Sequence, residues 1–385
     1  MLFIKQAVLC LISPLHLPRR FATWWILKSH ILKRVGEIYK RTSMKDLLKI
    51  RIKALLLIAI LLLSVVGGLS AKKIAIIDAG SSGSRLYVYD IDDATKNLTV
   101  VYPITPTDKV VSKGIALSNV TVTASEVDGF LDTMARKYSG KAGDIIDLYV
   151  LATAGMRTKP ADIYRYMPTN KIYGCLKLVS AMTISGKYEG LYAWIAANYK
   201  NRKLTWDGSS WTLNSPYAIL EIGGASMQIA FAKSTKQSGH PRFGNVYSKS
   251  YLGGGVDLVF KNYDPLKQNK FGVALDGNLK AMIGQLTTEF VRLGRPINDA
   301  IDNAGADSST GLLTYAGSIT VPDSDTNFHP KMNAEYIAFI FETWGLEGKT
   351  IKAVVESDWT EGAALDIVVN NQQPEAFNYD LTNPN

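Results

Sequence analysis

Two short stretches of this chain place a carboxylate at the end of an apolar run, with a glycine- and serine-rich turn directly after it. In the first, Asp78 closes the run 74–77 and the turn 79–84 follows. In the second, Glu221 closes the run 218–220 and the turn 223–226 follows, 143 positions after Asp78. Each turn leads into another β-prone stretch, 86–89 and 227–231, so one strand–turn–strand hairpin occurs twice. Successive backbone N–H groups in such turns form concavities that suit phosphate oxygens. A carboxylate at the mouth suits a hard divalent cation, held directly or through water. Two such turns facing each other would grip a phosphate chain from both sides, so a nucleotide site is the first expectation.

Ser81, Ser82, Gly83 and Ser84 offer hydroxyl and N–H groups in the first turn, and Gly223, Gly224 and Ala225 offer N–H groups in the second. A third strand end, LATAGMR, adds Thr153, Ala154 and Arg157. The hydroxyl and guanidinium suit further phosphate contacts, with a structural ion pair as the other role open to Arg157. Glu189 follows a break at Gly186 and opens a predicted helix. A carboxylate there can take a proton from water attacking phosphorus, or it can simply complement the helix dipole. Ser226 and Gln228, just past Glu221, can hold the same water without changing the charge. Phosphoryl transfer depends mainly on positioning and charge neutralisation, so this sparse set suffices. The chain has no GxxxxGK[ST] loop, no HExxH and no GxSxG elbow. Two of its four histidines, His16 and His30, lie far upstream of these motifs, which argues against a histidine-rich metal centre or a Ser/His hydrolase.

The elements that must position these residues read as a mixed α/β chain. A third strand is predicted at 98–102 and a strand at 145–152. The apolar spacing of Val127, Phe130, Leu131 and Met134 predicts a helix over 125–138. Further helices are predicted at 189–199, 279–293 and 333–344, a last strand at 351–356, and a small-residue helix at 361–369. The duplicated hairpin suggests two similar lobes around a cleft, where ligands usually sit. The expected division is a leader at 1–71, lobe I at 72–183 completed by 356–385, and lobe II at 184–355.

The formal net charge of +9 is concentrated at the start: residues 1–53 hold twelve Lys/Arg against two Asp/Glu, and the remainder is nearly neutral. A nucleic-acid partner is therefore not expected. Lys45, Lys49, Arg51 and Lys53 precede sixteen uncharged residues, 54–69, and the small residues Ser70 and Ala71. That pattern predicts a secretory signal and an exported protein, periplasmic or secreted, with translation starting at Met44. An uncleaved N-terminal membrane anchor with an extracytoplasmic catalytic domain is the alternative. Only Cys10 and Cys175 are present, so the mature chain is left with one thiol and no internal disulfide. Its length past residue 71 suffices for a core that holds without one. Asn97 and Asn119 each begin an N-x-T glycosylation pattern.

Taken together and in order, DAGSSGSR (78–85), ATAGMR (152–157), SGKYEGLYAW (185–194), EIGGASMQIAF (221–231), SYLGGGVD (250–257) and SDWTEGAALD (357–366) resemble the motifs of the nucleoside triphosphate diphosphohydrolases, or apyrases. The resemblance implies an actin-like fold of two RNase H-like lobes with the active site in the cleft between them. The protein is expected to be a monomer, and the resemblance implies hydrolysis of nucleoside tri- and diphosphates to monophosphates with Ca²⁺ or Mg²⁺. It assigns Glu189 as the catalytic base, with Ser226 holding the nucleophilic water and Gln228 beside it. Asp78 and Glu221 match the acids around the metal; Ser81, Ser82 and Thr153, with Ala154 beside them, match phosphate-contacting positions. Many animal members carry His where this chain has Gly83, and the fourth motif usually carries Asp where Glu221 stands. The exopolyphosphatase/guanosine pentaphosphate phosphohydrolase family shares the fold and similar hairpins, but AGSSGSR, AGMR, GGASMQ and the export signal favour the apyrases. A non-hydrolysing actin-like nucleotide switch is the other alternative. Such a switch has no use for the water-positioning set Glu189, Ser226 and Gln228.

Overall fold

A computed structural model describes residues 71–140, 143–159, 161–234, 245–319, 330–353 and 357–377, all within one compact unit. The expected leader and signal segment falls, except for Ala71, outside the described residues. Among the described residues no helix is long and apolar enough to cross a membrane.

The first half of the unit runs β1 (Ala71–Gly80), β2 (Gly83–Asp92), β3 (Leu98–Tyr102), α1 (Pro106–Ser112), β4 (Lys113–Gly114), α2 (Ala124–Ala135), β5 (Ile146–Ala152), α3 (Ala154–Arg157), β6 (Ile172–Tyr173), β7 (Leu176–Thr183) and α4 (Gly186–Lys200). The second half runs β8 (Leu204–Trp206), β9 (Trp211–Leu213), β10 (Ala218–Ile222), β11 (Ser226–Ala232), β12 (Val246–Leu252), α5 (Val256–Asn262), α6 (Asn278–Gln285), β13 (Phe290–Leu293), α7 (Arg295–Ala304), α8 (Ser309–Ser318), α9 (Pro330–Trp344), β14 (Ile351–Ala353) and α10 (Trp359–Asn370).

The duplication read from the hairpins extends to whole sheets. One sheet has the order β3-β2-β1-β5-β7-β6, with β4 paired to β2; the other has the order β12-β11-β10-β13-β14. In each, an antiparallel hairpin and its third strand are continued by two parallel strands on the far side of the first strand. Period-2 alternation sends Ile74 and Ile76 of β1 to one face and Ala75 and Ile77 to the other. Ala75 and Ile77 join Phe130 and Leu131 of α2 in an outer core. Ile74 and Ile76 join a central core shared with Ile219 and Val291 of the second sheet, Trp194 of α4, and Ala363 and Ala364 of α10. These two helices therefore lie between the sheets. A third core packs Phe290 against Tyr336, Phe341 and Trp344 of α9. Fully burying a side chain such as Phe290 or Phe341 contributes about 1.5–3 kcal/mol relative to exposure. Packing of this kind, more than intrinsic propensity, holds α4 and α9 in place.

Three expectations are corrected. The helix predicted over 279–293 ends at Gln285, and Phe290–Leu293 is instead a fully buried strand between β10 and β14. The strand is only four residues long and its Arg292 is buried against Asp302, so it carries no period-2 alternation that would separate it from a helix. The first turn is shorter than 79–84, because the β1–β2 ladder continues to Gly80 opposite Gly83 and leaves only Ser81 and Ser82 outside it. Ser226 is not in its turn but begins β11, opposite Leu252. After β5, Thr153 precedes the single-turn helix α3.

Candidate active site

The two hairpin turns line one cavity of about 670 Å³, with Asp78, Ser81, Ser82 and Gly83 from the first and Glu221, Gly223, Gly224, Ala225 and Ser226 from the second. Thr153, Ala154 and Glu189 complete the set that the sequence brings to this cleft. β5 runs parallel to β1, and Thr153 N–H donates to Ala79 O at 3.2 Å, so the third motif ends beside the first. The second turn is braced from below: Val256 N–H donates to Gly223 O at 3.0 Å and Asp257 N–H to Gly224 O at 2.9 Å, which ties it to the start of α5.

Three expected site residues do not line the cavity. Ser84 is fully buried in β2, with its N–H donated to Ile115 O at 3.1 Å. Arg157 is buried and donates through Nη2 to Glu189 Oε2, and through Nε to Ile184 O at 3.1 Å. The structural ion pair is therefore the role its contacts give it. Gln228 is buried in β11, opposite Glu221. Its Nε2 donates to Ser226 Oγ at 2.6 Å and reaches Ser250 Oγ at 3.4 Å.

Glu189 is only 8% exposed and sits in the first turn of α4, behind the N-cap Ser185. Its partner Arg157 and the first-turn position fix the orientation of its carboxyl in a nearly dry place. Across the ladder from Gln228, Glu221 keeps Oε2 sealed from solvent with no hydrogen-bond partner, and Asp78, 7% exposed, does the same with Oδ1. Burial pushes the Asp78 carboxyl well above the usual carboxylate range. The charges of Asp358 and Glu189 add to the rise, and Arg85, its ladder partner, opposes it. Burial likewise pushes Glu221 up, reinforced by Glu189, Asp358 and Asp78, with Arg157 opposing. Among the described residues no three carboxylates, histidines or cysteines converge into a ready-made metal cage. Two carboxylates lining a polar cleft, each with an oxygen that has no partner, nevertheless fit a hard cation that completes its shell with phosphate oxygens and water, as Mg²⁺ does.

The cavity has further charged walls for which the hairpins gave no signal. Arg85 and Lys113 stand on the first-sheet side, and Asp257, Arg295 and Asp299 on the second. Asp358, the N-cap of α10, accepts from Tyr87 Oη at 2.7 Å and from Thr360 N–H at 2.9 Å. Asp257 and Asp358 lie inside the quoted motifs SYLGGGVD and SDWTEGAALD, and Arg85 ends DAGSSGSR. Lys113, Arg295 and Asp299 belong to no local pattern and reach the cleft only through tertiary packing.

Comparison with known proteins agrees with this architecture. The chain is 32% identical over 225 residues to the nucleoside-triphosphatase ntp-1 of Caenorhabditis elegans, covering 49% of this chain and 39% of that protein. It is 30% identical over 178 residues to the nucleoside-diphosphatase mig-23 of the same organism, covering 40% of this chain and 32% of that protein. It is also 27% identical over 224 residues to probable apyrase 3 of Arabidopsis thaliana, covering 52% and 44%. The chain thus spans less than half the length of these relatives. A crystal structure of nucleoside triphosphate hydrolases from Neospora caninum superposes with a TM-score of 0.50 at 13% identity, covering 78% of this chain and 93% of that one, and shares its actin-like fold. The profile of the GDA1/CD39 (nucleoside phosphatase) family matches residues 70–269, which contain both hairpins, Thr153 and Glu189, and the chain belongs to that family.

Proposed function

We propose that this protein hydrolyses nucleoside tri- and diphosphates to monophosphates, releasing orthophosphate from the chain end. The observation that carries the reading is the arrangement at Glu189: a buried carboxylate lining the cleft, oriented from behind by Arg157, with Ser226 on the same cavity wall. Glu189 takes the proton of the attacking water as its oxygen bonds to the terminal phosphorus. The bridging P–O bond then breaks, and its electron pair leaves on the shorter nucleotide. Arg157 acts as a positioning residue that fixes the Glu189 carboxyl. Gln228, hydrogen-bonded to Ser226 Oγ, orients that hydroxyl toward the same water.

Asp78 and Glu221 would hold the divalent cation, Ca²⁺ or Mg²⁺, which when bound neutralises charge on the phosphate oxygens. The hydroxyls and N–H groups of Ser81, Ser82 and Thr153 receive the terminal phosphates. Gly223, Gly224 and Ala225 hold the opposite side of the phosphate chain. The lysine-flanked apolar run 54–69 supports an exported protein that meets its nucleotides outside the cytoplasm. The protein works as a monomer, since one chain supplies every group used above.

The test is phosphate release by the purified full chain offered ATP, ADP, GDP and polyphosphate with Ca²⁺, Mg²⁺ or EDTA. Cation-dependent conversion of ATP and ADP to AMP is the expected result. Turnover of polyphosphate alone would move the protein to a polyphosphatase role, and nucleotide binding without turnover would leave it a switch.

A further inference from the structure

Beside the cleft lies a second cavity of about 690 Å³, and the two share Arg85, Lys113 and Asp358. The side cavity runs over the β2–β3 surface beneath α1, with Lys109 and Lys200 adding cations and Glu361 a second carboxylate. Four cationic side chains thus face two carboxylates.

Both carboxylates are engaged. Asp358 accepts from Tyr87 Oη at 2.7 Å and from Thr360 Oγ1 at 2.7 Å, and Glu361 pairs with Lys200 at 2.8 Å. Arg85 and Lys113 differ: among the described residues no hydrogen bond or ion pair ends on either side chain's nitrogens. They are also direct cross-strand neighbours, Arg85 of β2 opposite Lys113 of β4, so both project from one face. Like charges in that position repel. Gly83 makes room for the arrangement. At φ +151°, its missing Cβ would lie 2.9 Å from Lys113 Cε and 2.8 Å from Gly114 O. Any side chain there would push Lys113 off the turn. Two adjacent cations whose nitrogens make no hydrogen bond or ion pair among the described residues, at the meeting point of two cavities, match a compact doubly charged oxyanion.

We propose that the Arg85–Lys113 junction is a second anion site, which takes the orthophosphate freed in the cleft and passes it to solvent through the side cavity. The origin of that phosphate rests on the hydrolase reading above; the anion site rests on the geometry alone.

The experiment measures binding of inorganic phosphate to the full chain in EDTA, alone, with saturating AMP, and with a non-hydrolysable diphosphate analogue. The expected result is phosphate binding that persists with either nucleotide present and is weakened about tenfold in Lys113→Gln, the loss of one charge-assisted contact. Lys113→Arg restores phosphate binding. Lys113 is exposed, so these variants test the anion and not the fold. Phosphate binding that is absent, or equal in Lys113→Gln, overturns the site even if nucleotides are hydrolysed. Displacement of phosphate by the diphosphate analogue also overturns it, because the pair would then hold the substrate's own terminal phosphate. Lys113-dependent phosphate binding in a protein that turns over no nucleotide would keep the anion site and sink the hydrolase reading.

Discussion

Gly224 and Ser81, far apart in sequence, meet across the cleft: a Cβ on Gly224 would stand 3.2 Å from Ser81 Oγ and would collide with Asp257 Oδ2. The two glycine-rich turns therefore face each other at close range, with a bare backbone on one side and a hydroxyl on the other. Gly224→Ala should lower phosphate release by roughly tenfold to a hundredfold, since a displacement near 1 Å in a phosphoryl-transfer site costs that much. An unchanged circular-dichroism spectrum and melting curve would assign the loss to the cleft. Full activity in the variant would mean that the turns do not share one substrate.

Glu189→Gln keeps the shape of the side chain and removes its basicity. Turnover should fall by about 10²–10⁴-fold while nucleotide binding is retained. Arg157→Met should also lower turnover, and the double variant should be no worse than Glu189→Gln alone, because Arg157 acts through that carboxylate. Additive losses would give Arg157 a contact of its own with the substrate.

Asp78 offers a stability readout independent of turnover. Its folded-state pKa is raised, chiefly by burial, so between the unfolded value of about 3.9 and the raised one the native state binds more protons than the unfolded state. Without cation, stability must then fall as pH rises through that window and remain lower above it. Glu221 acts with the same sign. Asp78→Asn should therefore melt higher than wild type in EDTA at neutral pH, by roughly 2–4 °C for each 1 kcal/mol relieved, while cation-dependent turnover is lost. A lower melting temperature for the variant would show that the buried carboxylate is already compensated.

Tyr336 Oη donates to Gly254 O at 2.7 Å in the interior, pinning the loop before α5 that braces the second turn. Tyr336→Phe removes the donor and leaves a buried carbonyl unpaired, at a cost of about 1–3 kcal/mol in denaturant unfolding. No change in the unfolding midpoint would mean that the carbonyl finds another donor.

Asp78, Glu221, Thr153 and Glu189 were legible because each lies in a local pattern whose spacing mirrors backbone geometry. The two-residue turn at Ser81 and Ser82 was read as longer, because where a ladder stops depends on cross-strand bonds such as Gly80 with Gly83. β13 was hidden inside a predicted helix, because it is only four residues long and carries no period-2 alternation. Arg157 and Gln228 stand within the same motifs, but the direction of their side chains is not readable from the sequence. Arg157 turns to Glu189 and Gln228 to Ser226, and both partners come from the folded neighbourhood.

By itself the sequence determined the two hairpins, their repetition and the carboxylate at each mouth. These are properties of short segments, fixed by strand alternation and by what glycine and serine permit in turns. Only the tertiary structure decided that the hairpins face each other, that Lys113 lies over Gly83 beside Arg85, and that Asp358 caps a helix between two cavities. Those relationships join residues tens to hundreds of positions apart, and they exist because the central core around Trp194, Ala363 and Ala364 packs both sheets against the same two helices.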